Sequence, residues 1–378
     1  MSFFSPKQKV FGLDLSDLSL KIVKLKEKGG KISVASFNKK EIPPGLIEKG
    51  DIRNEDEVSK IIMETIEQVE GEKLKTRYAI CSLPEEEAFL KIIKLPKMTK
   101  EELAKGIKWQ LEPNLPLSIE EVYFDWQELP SQSQKYSYVL ISALSKKVID
   151  SYLSAFKKAG VFPIMLEIES QAAARSLLKD AKSSRPVIIL DVGATGTGFT
   201  IFSGETVLFT SRISVSGAYF TKAIAEKLNI DAKEAERLKI DVGLEKKSKT
   251  GPEVRLPPEV RLPPADKESE KKVYDALLPI LERLVLEIRH YIDYHKNYVV
   301  AECAPNGGIS KILLCGGDSL LYGLPEFLSA NLKLPVELGN PWINISEPGK
   351  KETSRISYRK SFGYAIALGL ALRGLKQI

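Results

Sequence analysis

Histidine and cysteine are scarce in this chain, and their scarcity removes several chemistries at once. His290 and His295 are the only histidines among 378 residues, and they stand five apart in a helical pattern. Residues that share a helix face are three or four apart, so this pair reads as structural and not as one metal site. Cys81, Cys303 and Cys315 are isolated, with no C-x-x-C spacing, and read as reduced core thiols. Long apolar runs are missing as well. Nothing approaches the ~20 residues of a spanning helix, and the N-terminus has no signal-peptide core. The chain is expected to be soluble and cytoplasmic, with "MSFFSP" as a frayed tail. Charge of one sign is also lacking. The 56 basic and 50 acidic residues leave a net +6 spread along the chain, which argues against a nucleic-acid partner.

What the chain has is pattern. Its hydrophobic content of 43% supports sizeable cores and two or three domains. The opening "KVFGLDLSDLSLKIVKLKEKGGKISVASFNKKEI" alternates apolar and polar residues around Gly29-Gly30, which predicts a meander of three antiparallel strands. Val58, Ile61, Ile62, Ile66 and Val69 then recur at helical spacing behind an Asn54 cap. From Tyr78 the order strand, strand, helix, two strands, helix predicts a compact α+β unit. Its first helix is opened by a Thr99/Glu102 capping box and lined by Leu103, Ile107 and Leu111. Strands return at 187, followed by two helices. The charged, proline-rich stretch 245–272 carries EVRLPP twice and is expected to be a mobile surface loop. A helix at 271–298, lined by Leu277, Leu281, Leu284, Leu286, Ile288 and Ile292, comes next. A strand–Gly-Gly–helix unit and a small, apolar terminal helix complete the chain.

The segment "LDVGATGTGFTIF" (190–202) has glycines but no Walker lysine, and it lacks the G-x-G-x-x-G spacing. Its meaning comes from an echo. With Asp191 set on Asp14, "LDLSDLSLKIVKL" lies over it without a gap, 177 residues earlier. Either hairpin alone would pass for an ordinary sheet edge. Two in register, each opening a meander, predict duplicated α/β halves whose turns face each other across a cleft. A tight turn of Gly, Ser and Thr can aim several backbone N–H groups at a phosphate. Asp14 and Asp191 would flank the phosphates and hold Mg2+ through water. Lys21 would supply a cation to the β/γ-phosphates. In "LLCGGDS" (313–319), bare backbone at Gly-Gly would let a flat ring lie against the chain.

Taken in order, these motifs resemble those of the actin/Hsp70/sugar-kinase ATPase superfamily. They are two phosphate motifs, the adenosine motif "LLCGGDSLLYGLPEFL", and the connecting segments "IESQAAARSL" and "SFGYAIALGLAL". Within the superfamily the inserted unit, with "LPEEEAFLKIIKLPKMTKEELAKGIKWQLEPNLPLSIEEVYFDW", resembles the 1C subdomain of the FtsA-like branch and most closely its PilM family. No C-terminal tail with an amphipathic helix is expected after residue 378, whereas FtsA carries one.

The resemblance implies an α/β, actin-like ATPase fold: two RNase H-like lobes around a nucleotide cleft, with an inserted FtsA-like α+β 1C subdomain. The implied boundaries are 1–77 for the first part of subdomain 1A, 78–160 for 1C, and 161–185 for the connecting helix of 1A. Subdomain 2A would take 186–215, 2B 216–298 with its loop at 245–272, 2A again 299–357, and the last helix of 1A 358–378. The implied cofactors are ATP and Mg2+. Gly12, Asp14, Leu15, Ser16 and Lys21 would contact nucleotide in the first turn, and Asp191, Gly193, Ala194 and Thr195 in the second. Glu236 and Lys239 would lie near ribose and base, and Gly316, Gly317 and Asp318 near adenine. Glu169 falls where relatives place a polar residue that positions the attacking water. Ser16 departs from the family's usual glycine, and its Cβ restricts close backbone approach to phosphate.

The implied function is that of an ATP-binding cytoplasmic scaffold of type IV pilus or related secretion assembly, at most a slow ATPase. Its implied partner is the N-terminal cytoplasmic peptide of a PilN-like inner-membrane protein, held in a groove between 1A and 1C. Leu83, Phe89, Ile92 and Leu95 are candidates for that surface. Membrane contact would be indirect, and self-association is open. A filament-forming, FtsA-like cell-division protein is the alternative. A sugar-kinase-type phosphotransferase is disfavoured because no long insertion supplies a base for an acceptor hydroxyl.

Overall fold

The computed structural model describes residues 9–115, 117–131, 133–244, 267–298, 308–346 and 356–376. The predicted meander is β1 (Phe11–Ser16), β2 (Ser19–Lys28) and β3 (Lys31–Glu41), antiparallel throughout. Gly29 and Gly30 take positive φ at its second turn, which glycine does without strain. A short hairpin, β4 (Ile47–Glu48) and β5 (Asp51–Ile52), leads to α1 (Glu55–Glu67), where the Asn54 side chain accepts from the Glu57 N–H as a cap. Strand β6 (Glu70–Gly71) joins the edge beyond β3. Strand β7 (Tyr78–Leu83) lies parallel to β1 in the same sheet.

The insert is a three-stranded sheet in the order β8 (Ala88–Pro96), β10 (Tyr136–Ser145), β9 (Val122–Leu129), with α2 (Lys100–Leu111) on one face. The Thr99/Glu102 capping box forms as expected, and Leu103, Ile107 and Leu111 are buried against Ile93, Val139 and Ile141. Helix α3 (Lys146–Lys158) then packs with α1 on the first lobe, and β11 (Phe162–Ile168) pairs with β7. The insert is therefore narrower than the boundaries 78–160. Tyr78–Leu83 belongs to the first sheet because its strand pairs on both sides within it. Lys146–Lys158 belongs to the first lobe because its apolar face, Val148, Ile149, Tyr152 and Phe156, lies in that lobe's core.

Helix α4 (Glu169–Leu177) crosses to the second lobe. There β12 (Ser183–Val192), β13 (Thr197–Gly204) and β14 (Thr206–Ile213) form a second antiparallel meander. Helices α5 (Gly217–Leu228), α6 (Ala232–Asp241) and α7 (Lys267–Tyr298) cover it. Helix α7 starts at Lys267, four residues before the expected 271, so the end of the expected loop is helical, and the EVRLPP pair lies outside the described residues. Leu277, Leu281, Leu284, Ile288 and Ile292 are buried on α7, but Leu286 is 63% exposed and does not belong to that face. Strand β15 (Lys311–Cys315), helix α8 (Leu324–Leu332) and strand β16 (Val336–Leu338) follow. Helices α9 (Tyr358–Ser361) and α10 (Ala365–Lys376) then return to the first lobe.

The duplication read from the turns is present in the topology. One sheet runs β11-β7-β1-β2-β3, with β6 beyond, and the other β16-β15-β12-β13-β14. Each is two parallel strands joined to a three-stranded meander. Between the sheets, α4 and α10 cross so closely that a Cβ on Gly369 would meet the carbonyl carbon of Ala172 at 2.5 Å. Arg175 of α4 forks onto the buried Glu167 of β11 at 2.6 and 2.7 Å, and Arg373 of α10 joins the same carboxylate. A bidentate, buried pair of this kind fixes orientation as well as contact.

Candidate functional site

Both hairpins deliver their aspartates to one place. Asp14 on β1 stands opposite Lys21 on β2, and Lys21 Nζ lies 3.1 Å from Asp14 Oδ2. Asp14 is only 1% exposed, and its other oxygen accepts from the Ser82 hydroxyl at 3.3 Å. Ser82 also receives the Leu15 N–H at 3.0 Å, so β7 braces the first turn from beneath. Burial works to strip the Lys21 proton, but Asp14, with Asp191 and Glu169 behind it, holds the ammonium pKa above its ordinary value. Lys21 is thus a cation fixed on Asp14 and attracted by Asp191 as well. Burial raises the Asp191 pKa to about 6, Lys21 opposes that rise, and Asp14 adds to it.

The two turns are built differently. In the first, the Ser16 hydroxyl donates to Ser19 O at 3.0 Å and lies 3.1 Å from the Ser19 hydroxyl. Ser16 therefore closes its turn by side-chain bonding where a glycine would leave bare backbone. In the second, the Gly193 N–H donates to Gly196 O at 2.9 Å, and Ala194 and Thr195 are exposed at the tip. Helix α5 braces this turn, because Gly217 N donates to Gly193 O and Ala218 N to Ala194 O. Gly12 has another task. A Cβ there would stand 2.7 Å from Ala371 N and would also strike Ala367 O, so its bare backbone lets α10 lie on β1. Leu15 is core, 1% exposed, and only its main chain faces the turn.

The residues expected around ribose and adenine also converge. Lys239 Nζ on α6 reaches Asp318 at 2.6 Å and Glu236 at 2.8 Å. Burial raises the Asp318 pKa, and Lys239 works against that rise. Gly316 takes φ +89°, and a Cβ there would strike Asp191 Oδ1 and stand 2.7 Å from the Val192 carbonyl carbon. The turn at Gly316 therefore rests directly on β12. At Gly317 an added Cβ would meet nothing within 4 Å, so its backbone borders open space.

Glu169 begins α4, and its pKa is pushed well above the ordinary carboxylate range by burial and then by Glu86, Asp14 and Glu85. It shares an acidic group with Glu85, whose carboxylate accepts the Ser170 N–H at 2.9 Å. Glu86 binds Arg212 of β14 at 2.7 Å, and Arg212 donates to the Thr195 hydroxyl at 2.8 Å. Ser82, Glu85, Glu86 and Arg212 were not among the residues expected from sequence. The run "LPEEE" directly after a strand was the available signal, since a carboxylate cluster there is costly unless it has partners. Of the residues expected to face a partner peptide, Leu83 and Leu95 are core and cannot serve. Ile92 packs toward Leu208 in the second lobe, and Phe89 is half-buried.

The family described as "Type IV pilus assembly protein PilM" matches residues 12–251, more than half of the chain, and the FtsA family matches 188–368. Cell division protein FtsA of Pseudomonas aeruginosa is 25% identical over 213 residues, 56% of this chain and 47% of its own length. The chain spans about half the length of the curated relatives it matches. Among solved structures, a chain of the PilM-PilN type IV pilus biogenesis complex aligns over 98% of this chain and 100% of its own. That alignment has a TM-score of 0.77 and 24% identity. MreB5 of Spiroplasma citri bound to AMPPNP aligns over 98% and 96%, with a TM-score of 0.57 and 12% identity. These likenesses show an actin-like fold.

Proposed function

The chain belongs to the PilM family of type IV pilus assembly proteins, and from that premise we propose that it is an ATP-binding cytoplasmic scaffold of pilus assembly. It captures the N-terminal cytoplasmic peptide of a PilN-like inner-membrane protein in the groove between first lobe and insert, and it couples nucleotide state to assembly. Its contact with the membrane is indirect, through that partner. Among the described residues no helix is long and apolar enough to cross a membrane. The observation that carries the reading is the alignment with the PilM-PilN complex, which runs through the insert as well as both lobes.

The residues present fit a Mg2+-nucleotide. Gly316 packs its bare backbone against Asp191 and Val192, and Gly317 beside it offers bare backbone to open space, which a flat ring can use. The Gly193–Gly196 turn presents exposed main chain at Ala194 and Thr195 for phosphate. Asp191 is the carboxylate suited to Mg2+ through water, whereas Asp14 acts by holding Lys21, since both its oxygens are engaged. Mg2+ would supply neutralisation of phosphate charge. Lys21 orients the phosphates, Asp318 and Lys239 order the base end, and Glu169 holds a water at its carboxyl. A nucleotide touching both lobes favours their closed arrangement and changes the surface offered to the peptide.

Calorimetry with Mg-ATP, followed by titration of synthetic N-terminal peptides of neighbouring one-span pilus proteins, tests this reading. Tight nucleotide binding, slow turnover and peptide capture are expected. Rapid ADP release that depends on a sugar acceptor would overturn it in favour of a phosphotransferase.

A further inference from the structure

Strand β14 is the edge of the second sheet, and its residues reach three different parts of the molecule. At its far end Arg212 lays its guanidinium over Gly196, where an added Cβ would stand 2.7 Å from Cζ. One guanidinium nitrogen donates to the Thr195 hydroxyl at the tip of the second phosphate turn, at 2.8 Å. Another binds Glu86 at 2.7 Å, with both side chains mostly covered at 25% and 17% exposure. Glu86 belongs to the single 3₁₀ turn Glu85–Glu87 that joins β7 of the first sheet to β8 of the insert. Thr210, on the same face of β14 as Arg212, lies near enough to Glu85 to hold that carboxylate's pKa down against burial. That carboxylate also accepts the Ser170 N–H at the start of α4. A register shift opposite Ile201 and Phe202 leaves Leu208 bulged between Val207 and Phe209. Bulges re-aim side chains, and Leu208 packs with Leu129, Tyr138 and Leu140 on the insert's sheet, beside Leu90 and Ile92.

We propose that β14 transmits the state of the second phosphate turn to the insert. Arg212 is a positioning residue for Thr195, Glu86 is its anchor at the root of the insert, and Leu208 bears on the insert's sheet. The inference rests on the nucleotide reading above and adds to it the route by which nucleotide reaches the partner-binding unit. A guanidinium can hold two acceptors at once in fixed geometry, which a lysine ammonium on a flexible stem does poorly. Any shift of the turn onto phosphate therefore pulls on Glu86, and the same strand carries Leu208. The path is a contiguous set of contacts, and a coupling measurement tests it.

The test is hydrogen exchange of residues 88–145 with and without Mg-ATP, in the full chain. In the wild type, Mg-ATP is expected to change exchange in β8 and β10 by about fivefold or more, the lower end of ordinary allosteric coupling. Glu86→Gln should lose most of that response, and Leu208→Ala, remote from the nucleotide, should bind Mg-ATP within about threefold of wild type, a change below 1 kcal/mol. Arg212→Lys should retain part of the response, and Leu208→Ala should weaken it without touching any charge. A full response in both Glu86→Gln and Leu208→Ala overturns the proposal. Wild type that binds Mg-ATP with no change in the insert also overturns it, while leaving the nucleotide reading standing. Absence of Mg-ATP binding in the wild type would be seen by calorimetry first, and it removes the nucleotide reading and the inference together.

Discussion

The two aspartate hairpins share strand order, register and an aspartate 177 residues apart, yet they hold those aspartates by different means. Asp14 is locked: buried, paired with Lys21 and bonded by Ser82, on a turn closed by serine hydroxyls. Asp191 stands against the bare backbone of Gly316, on a glycine turn braced by α5 and tied by Arg212 to Glu86. The difference teaches that duplication preserved geometry and divided labour. The first jaw fixes a cation, and the second offers backbone and a carboxylate whose pKa burial has raised to about 6.

The contrast can be broken first at Lys21. Lys21→Met leaves Asp14 buried without its cation, and loss of about 3–5 kcal/mol of stability is expected in urea unfolding. Adding Asp14→Asn should restore most of it, because a neutral pair carries no unpaired charge. Asp191→Ala should do the reverse. Mg-ATP affinity is expected to fall by about a hundredfold, roughly 2.7 kcal/mol, with the fold retained, since removing a carboxyl of raised pKa does not destabilise. Unchanged binding by calorimetry would sink the two-hairpin clamp. Gly12→Ala sharpens the comparison at a position where the second hairpin has Ile189. Overpacking against α10 should cost about 1–3 kcal/mol with nucleotide affinity per folded molecule unchanged.

Smaller effects follow at the edges of the site. The folded-state pKa of Glu85 is raised above its ordinary 4.5 by burial, opposed by Thr210 and Ser170. A raised carboxyl pKa favours the folded state at low pH, and that contribution is lost as pH rises through the folded value. Glu85→Gln should therefore raise the unfolding free energy more at pH 8 than at pH 5, by an amount on the order of 1 kcal/mol. An equal shift at both values would show that the carboxylate is paid no penalty by its site. Ser16→Gly should change Mg-ATP affinity by no more than about threefold, under 1 kcal/mol. A larger gain would mean that the serine side chain limits the first jaw.

Much of this was legible without coordinates. The alternation of β1 to β3, the Thr99/Glu102 box and the aligned aspartates follow from periods and caps that act within a few residues. The inserted unit was legible as a unit but not at its margins. Tyr78–Leu83 reads as a strand in any context, and only pairing with β1 and β11 assigns it to the first sheet. The pattern around Gly12 predicts a phosphate glycine, and α10, more than three hundred residues away in sequence, gives it a packing role that no local pattern shows. Leu83 and Leu95 were apolar and plausible as a surface until burial decided otherwise.

By itself the sequence determined the two hairpins, the order of the lobes and the residue types available at each turn, because strand period, capping and repeat alignment are local properties. Only the tertiary structure decided that Arg212 meets Glu86, that Lys239 meets Asp318, and that Ser82 supports Asp14. Each of those contacts joins side chains from separate elements. Their distances depend on how sheets and helices pack, and no short-range pattern records that.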